Sequence, residues 1–202
     1  GAGGALFVTE GSVLISNAAI ITSHSRYYAG AVCIHGGTVA LVNGSSIVDS
    51  SADWSGGALW MQGGRVTIND SSIDGSVARM HGGAISQTAG YIAITRSRFS
   101  ASEAFSGGGF LHLRGGEIHI TYSSIEDSVS RSWSVTEAHN RTGAILMVPP
   151  GTTGLGPLLA VTFSTFQQAA CDGPMFTQQG EAQILLRNIS FTPLAMCDTA
   201  VL

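Results

Sequence analysis

Lysine is absent from this chain, and charge of either sign is scarce. Nine arginines face 13 acidic residues, for a net charge of −4 with only 11% of residues charged. That balance offers no basic footprint, so nucleic acid is not an expected partner. Cysteine is limited to 3 and proline to 5, which excludes a disulfide-dense scaffold and a proline-rich disordered chain. No apolar run approaches the ~20 residues of a membrane-spanning helix. Phosphate-loop and paired metal-ligand spacings are missing too: no glycine cluster precedes a Lys, and no His-x-His or Cys-x-x-Cys occurs. No metal or cofactor is expected.

Glycine is abundant instead, at 27, and serine plus threonine number 41. The glycines are not scattered. A phrase of the form Gly-Gly-Ala-apolar-x-apolar returns at Gly3-Gly4-Ala5, Gly30-Ala31, Gly56-Gly57-Ala58, Gly82-Gly83-Ala84 and Gly108-Gly109-Phe110. A second marker keeps step, with Ile20, Ile47, Ile73, Phe99 and Ile125 spaced 27, 26, 26 and 26 residues apart. A fixed period of this length marks a solenoid.

Within each period the apolar residues alternate, as in Leu59/Met61 and Val66/Ile68, which is strand chemistry with one face buried. A third short strand centres on the Ile20-to-Ile125 column. Three short strands per turn predict an all-β, right-handed parallel β-helix of about seven coils with a 26-residue period. Successive coils would lie ~4.8 Å apart, stacking each residue on its equivalents. Val66 and Ile92, Ile68 and Ile94, and Ile73 and Phe99 should then be neighbours. A serine column, Ser23/Ser50/Ser76/Ser102/Ser128, is expected to form a hydroxyl ladder at a turn. Tyr28, Trp54, Met80 and Phe105 are expected to form a further stack. Cys33, with Phe7, Trp60, Ser86 and His112, is assigned to an outward column.

The phrases Gly82-Gly83-Ala84-Ile85 and Gly56-Gly57-Ala58-Leu59 resemble the first half of the polymorphic outer membrane protein repeat, whose signature pairs Gly-Gly-Ala-Ile with Phe-x-x-Asn. The second half departs, since Phe99-Ser100-Ala101-Ser102 ends in Ser. The resemblance spans about residues 3–147. It implies a right-handed parallel β-helix exposed at a cell surface, often in adhesion.

One β-helix domain is expected over 1–202, with regular coils over 3–128 and irregular coils over 158–202. Insertions at 131–141 and 149–157 stretch the period to 41 residues between Ile125 and Phe166. The chain opens inside a repeat without a Met, so it is expected to be a piece of a longer polypeptide. Four of five asparagines stand in Asn-x-Ser/Thr sequons: Asn43, Asn69, Asn140 and Asn188. Together they point to a secreted glycoprotein, with Asn140 the favoured acceptor because it sits in an insertion. Cys171 and Cys197 hold nearly equivalent places in adjacent coils and are the candidate disulfide.

Catalysis has little support in the sequence. Asp49 and Asp127 share one column about 14 Å apart, and Asp74 and Glu126 its neighbour at about 10 Å, with no Arg concentrated beside them. Histidines 35, 81, 112 and 119 read as scattered surface residues. The expected function is therefore a non-enzymatic extracellular or cell-surface structural and adhesive module. Its expected partners are other subunits, further coils or glycans. The alternative is a polysaccharide-binding or polysaccharide-cleaving β-helix of the pectin-lyase-like kind.

Overall fold

A computed structural model describes residues 3–131, 145–147, 156–167, 176–178 and 182–192. They form an all-β parallel solenoid. Three sheets hold seven strands each and a fourth holds five, with every pairing between successive coils. The first sheet begins Leu6–Val8, Val32–Ile34, Leu59–Met61, Ile85–Gln87 and Leu111–Leu113. The second runs through Arg65–Asn69, Tyr91–Thr95 and Glu117–Thr121, and the third through Ser72–Asp74, Arg98–Ser100 and Ser124–Glu126. No helix occurs among the described residues.

The predicted register holds. Val66 pairs with Ile92, Ile68 with Ile94, and Ile73 with Phe99. All six are at most 1% exposed. Each such side chain removed from water contributes about 1.5–3 kcal/mol, so the stacked columns form one continuous apolar core. Ile125 still pairs with Phe166 across the stretched period, so the extra residues leave the ladder intact.

A fourth strand per coil was not anticipated. It is only two residues long, at His24–Ser25, Ser51–Ala52, Val77–Ala78, Glu103–Ala104 and Val129–Ser130. Its buried member is Ser or Ala in every coil, and its backbone crowds a glycine of the neighbouring coil. A Cβ on Gly57 would lie 2.1 Å from the Gly83 carbonyl oxygen and 2.6 Å from the Val77 nitrogen. Only glycine fits there.

Left-handed residues turn the corners. Ala29 has φ +56° where later coils carry Gly56, Gly82 and Gly108. A further corner uses Asp70, Arg96, Tyr122, Phe163 and Asn188, with φ between 46° and 52°. Such a conformation costs non-glycine residues about 1–2 kcal/mol, so something must hold it. A serine ladder does. The backbone N–H of Ser71 donates to Ser97 Oγ at 3.2 Å, Ser97 to Ser123 Oγ at 3.1 Å, and Ser123 to Ser164 Oγ at 3.1 Å. Each hydroxyl donates in turn to a carbonyl two residues back, as Ser97 does to Thr95 at 2.8 Å.

The predicted column is satisfied only in part: Ser102 and Ser128 donate to the carbonyls two residues back, at 3.5 and 3.2 Å. In the Ser50/Ser76/Ser102 column the side chains are fully buried, and the hydroxyls of Ser50 and Ser76 have no hydrogen-bond partner. The aromatic stack is also shifted by one residue. Trp54 N–H donates to the Tyr27 carbonyl, Met80 to Trp54 and Ser106 to Met80. Thus Tyr27, not Tyr28, and Ser106, not Phe105, belong to that column, because the coil from Tyr27 to Trp54 spans 27 residues and those from Trp54 to Met80 and Met80 to Ser106 span 26 each.

Candidate functional site

The column assigned outward in the first sheet is largely covered. Cys33 is 0% exposed, Ser86 2% and His112 6%, whereas Phe7 stays half exposed. The cause lies just before the glycine corner, where Tyr28, Ser55 and His81 precede the left-handed residues. Tyr28 stacks on Trp60 with ring centroids 4.6 Å apart, and His81 on His112 at 4.5 Å. These side chains lean back over the sheet. Cys33 is therefore a buried thiol, and burial pushes its pKa up to about 11.

A cleft of about 560 Å³ opens over this covered strip. Its aromatic wall combines Tyr28, Trp54 and Trp60 with the thioether of Met80. Trp54 remains 45% exposed and packs edge-on against Tyr27 at 5.9 Å and Tyr28 at 5.6 Å. The rings continue along the rod axis through His35, 5.5 Å from Trp60, to Phe7, 4.9 Å from His35. Gln62, Thr88 and Arg114, which share one outward column in successive coils, line the cleft as well.

The floor is polar but neutral. Ser86 Oγ lies 3.3 Å from His112 Nδ1. Burial, with His81 and Arg114 nearby, pulls the His112 pKa down to about 3. His81 is lowered by the same two causes, burial first and then Arg114. The two histidines are thus stacked and uncharged, contrary to the expected scatter. With its serine nearly inaccessible and its imidazole a very weak base, this pair shapes the floor of the cleft and is poorly suited to nucleophilic attack.

Asp74 and Glu126 lie on the third sheet, away from the first-sheet strip. Asp74 and Glu126 do share a column, and Arg98 sits between them, contrary to the expectation that no Arg concentrates there. It reaches Glu126 Oε2 at 2.8 Å and Asp74 Oδ1 at 3.5 Å. Arg96 clamps Asp70 through Nε at 2.7 Å and a terminal nitrogen at 2.8 Å. The guanidinium hydrogen bonds hold Asp70 and Glu126 below the usual carboxylate range. These pairs border a groove of about 690 Å³, where Tyr122 and Phe163 stack at 5.0 Å. Its two arginines are both engaged, Arg96 with Asp70 and Arg98 with Asp74 and Glu126. Among the described residues no group of three or more His, Cys, Asp or Glu is placed to hold a metal ion.

The sequons fall in different places. Leu41 pairs with Ile68, so Asn69 is the equivalent of Val42 and Asn43 lies one position further on. The two do not share a column. Asn43 and Asn188 are exposed at left-handed corners. Asn69 is half buried, its amide donating to Asp70 at 2.7 Å and accepting from Arg96 at 2.9 Å. Asn140, Cys171 and Cys197 lie outside the described residues, as does most of both insertions.

Sequence reading missed the cleft because its wall is built from three columns, with Tyr28 and Trp60 32 residues apart in the chain. Two of three tryptophans six residues apart was the available signal. No family model matches the chain, and no curated protein or solved structure matches it either.

Proposed function

We propose that this chain is an extracellular or cell-surface adhesive module, a β-solenoid rod that binds saccharide in the Trp54 cleft and does not cleave it. The observation that carries the reading is the juxtaposition of an exposed aromatic wall with an amide, a hydroxyl and a guanidinium in one open cleft. Sugar rings present C–H faces that pack on aromatic rings, and hydroxyls that need directional polar partners. Trp54 and Met80 supply the first, Gln62 and Thr88 the second. Against cleavage, Asp74 and Glu126 are tied to Arg98, and none of the column acids lines the cleft. The exposed sequons Asn43 and Asn188 support a secreted setting.

Leu14 and Ile21 stay 70% and 63% exposed on the first coil. Apolar contact there with another subunit or further coils makes the module part of a larger assembly. Calorimetric titration with a panel of oligosaccharides tests the binding reading. Measurable affinity that falls at least tenfold in Trp54→Ala supports it. Uniform lack of binding, or binding indifferent to that substitution, contradicts it.

A further inference from the structure

Electrostatics narrow what the cleft should take. Among the described residues that line it, Arg114 is the only permanently charged side chain. The other described arginines with a strong contact are engaged elsewhere: Arg79 with Asp53, Arg96 with Asp70, Arg98 with Glu126, and Arg131 with Glu103. Arg65 lies over the Tyr91 ring. Among the described residues no carboxylate forms an ion pair with Arg114. It is also exposed, so the guanidinium keeps its donor fork available.

Placement adds a length. Gln62, Thr88 and Arg114 occupy one column in three successive coils. Two coil steps set Arg114 about 10 Å along the axis from Gln62. Trp60 stands two residues before Gln62 and lines the same end. A ligand that fills the cleft has its ring face at the tryptophan end and negative charge about two sugar units further along.

We infer that the cleft selects an acidic oligosaccharide, with a ring packed on Trp54 and a carboxylate paired with Arg114. This rests on the saccharide reading above and specifies its ligand class. A planar carboxylate matches the guanidinium fork in a bidentate pair, stronger than a neutral hydrogen bond. A single sugar would be too short to reach both ends. The shared chemistry is a carboxylated sugar, which a chain of uronic acids or a terminal sialic acid could each supply.

The test titrates the intact protein with a uronic acid trisaccharide, its carboxyl-reduced neutral counterpart, and a trisaccharide ending in sialic acid. At least one acidic ligand should bind tenfold or more tightly than the neutral one. Arg114→Gln should erase that preference, with acidic binding falling to the level of the neutral ligand. Arg114→Lys should restore part of it, and Arg96→Gln, in the separate groove, should change nothing. Which acidic ligand wins assigns the source of the carboxylate. Equal binding of neutral and acidic ligands overturns the acidic selection and leaves the saccharide reading standing. Loss of preference in both Arg96→Gln and Arg114→Gln also overturns it, since net charge would then explain the effect. No binding of any sugar overturns both.

Discussion

Ser86 and His112, 26 residues apart in the chain, meet in adjacent coils through a 3.3 Å contact between Oγ and Nδ1. The imidazole is sealed by His81 above it and stays neutral. Burial lowers its pKa from 6.5 to about 3. In the unfolded chain the same residue takes up a proton near pH 6.5, so the unfolded state binds more protons between these values. Stability is therefore fully present above about pH 6.5 and is lost as pH falls toward 3, by several kcal/mol.

Denaturant midpoints measured from pH 7.5 to 4.5 should decline, and His112→Asn should flatten the decline. This window isolates the histidines, because the Arg-held carboxylates Asp70 and Glu126 lose their contribution only below their ordinary range near pH 4. An unchanged midpoint across the window would contradict the sealed, neutral histidine.

Two glycine substitutions should behave differently. Gly44→Ala places a methyl group with no atom within 4 Å, so it meets only the cost of φ +76°, about 1–2 kcal/mol. Gly57→Ala drives its methyl group into the Gly83 carbonyl. It should destabilise by more than 3 kcal/mol or prevent folding, as overpacking against backbone cannot relax by a rotamer change. Similar unfolding midpoints for the two variants would refute the crowded corner.

Ile94 lies between Ile68 and Ile120 and is 1% exposed. Ile94→Val should cost about 0.5–1.5 kcal/mol. Ile94→Asp should abolish folding, since an unpaired buried charge costs several kcal/mol or more. Far-ultraviolet circular dichroism of both variants checks this; a folded Ile94→Asp protein would break the register argument.

Exposure separates the sequons. Expressed through a secretory pathway, Asn43 and Asn188 should carry glycan, while Asn69 should be largely unmodified because its amide bridges Asp70 and Arg96. Peptide mapping before and after glycosidase treatment distinguishes the sites. Heavy occupancy at Asn69 with none at Asn43 would reverse the assignment.

Most of the architecture was legible from the chain because stacking repeats a chemical need at a fixed interval. Val66, Ile92 and Ile118 must all be apolar, and glycine must recur where Gly57 and Gly83 meet a backbone. The left-handed corner at Asp70, Arg96, Tyr122 and Phe163 was invisible. Its conformation is held by Ser71, Ser97, Ser123 and Ser164 below it, so the corner side chain is free to vary. The fourth strand was hidden by its two-residue length, with Ala52 and Ala78 registering only as small residues. The cleft was partly legible: Trp54 and Trp60 stand close in sequence, but Tyr28 reaches Trp60 only after the coil closes. Neutrality at His81 and His112 arises from burial by residues of other coils, which no local pattern encodes.

The most direct measurement of the central claim is a nitrogen-15 spectrum of the tryptophan indole N–H groups during titration with an oligosaccharide that binds. Trp54 and Trp60 should shift in proportion to occupancy, together with the Arg114 side-chain Nε–H when the ligand carries a carboxylate. Binding that leaves the Trp54 and Trp60 signals unmoved, while residues around Tyr122 and Phe163 shift, would contradict the account.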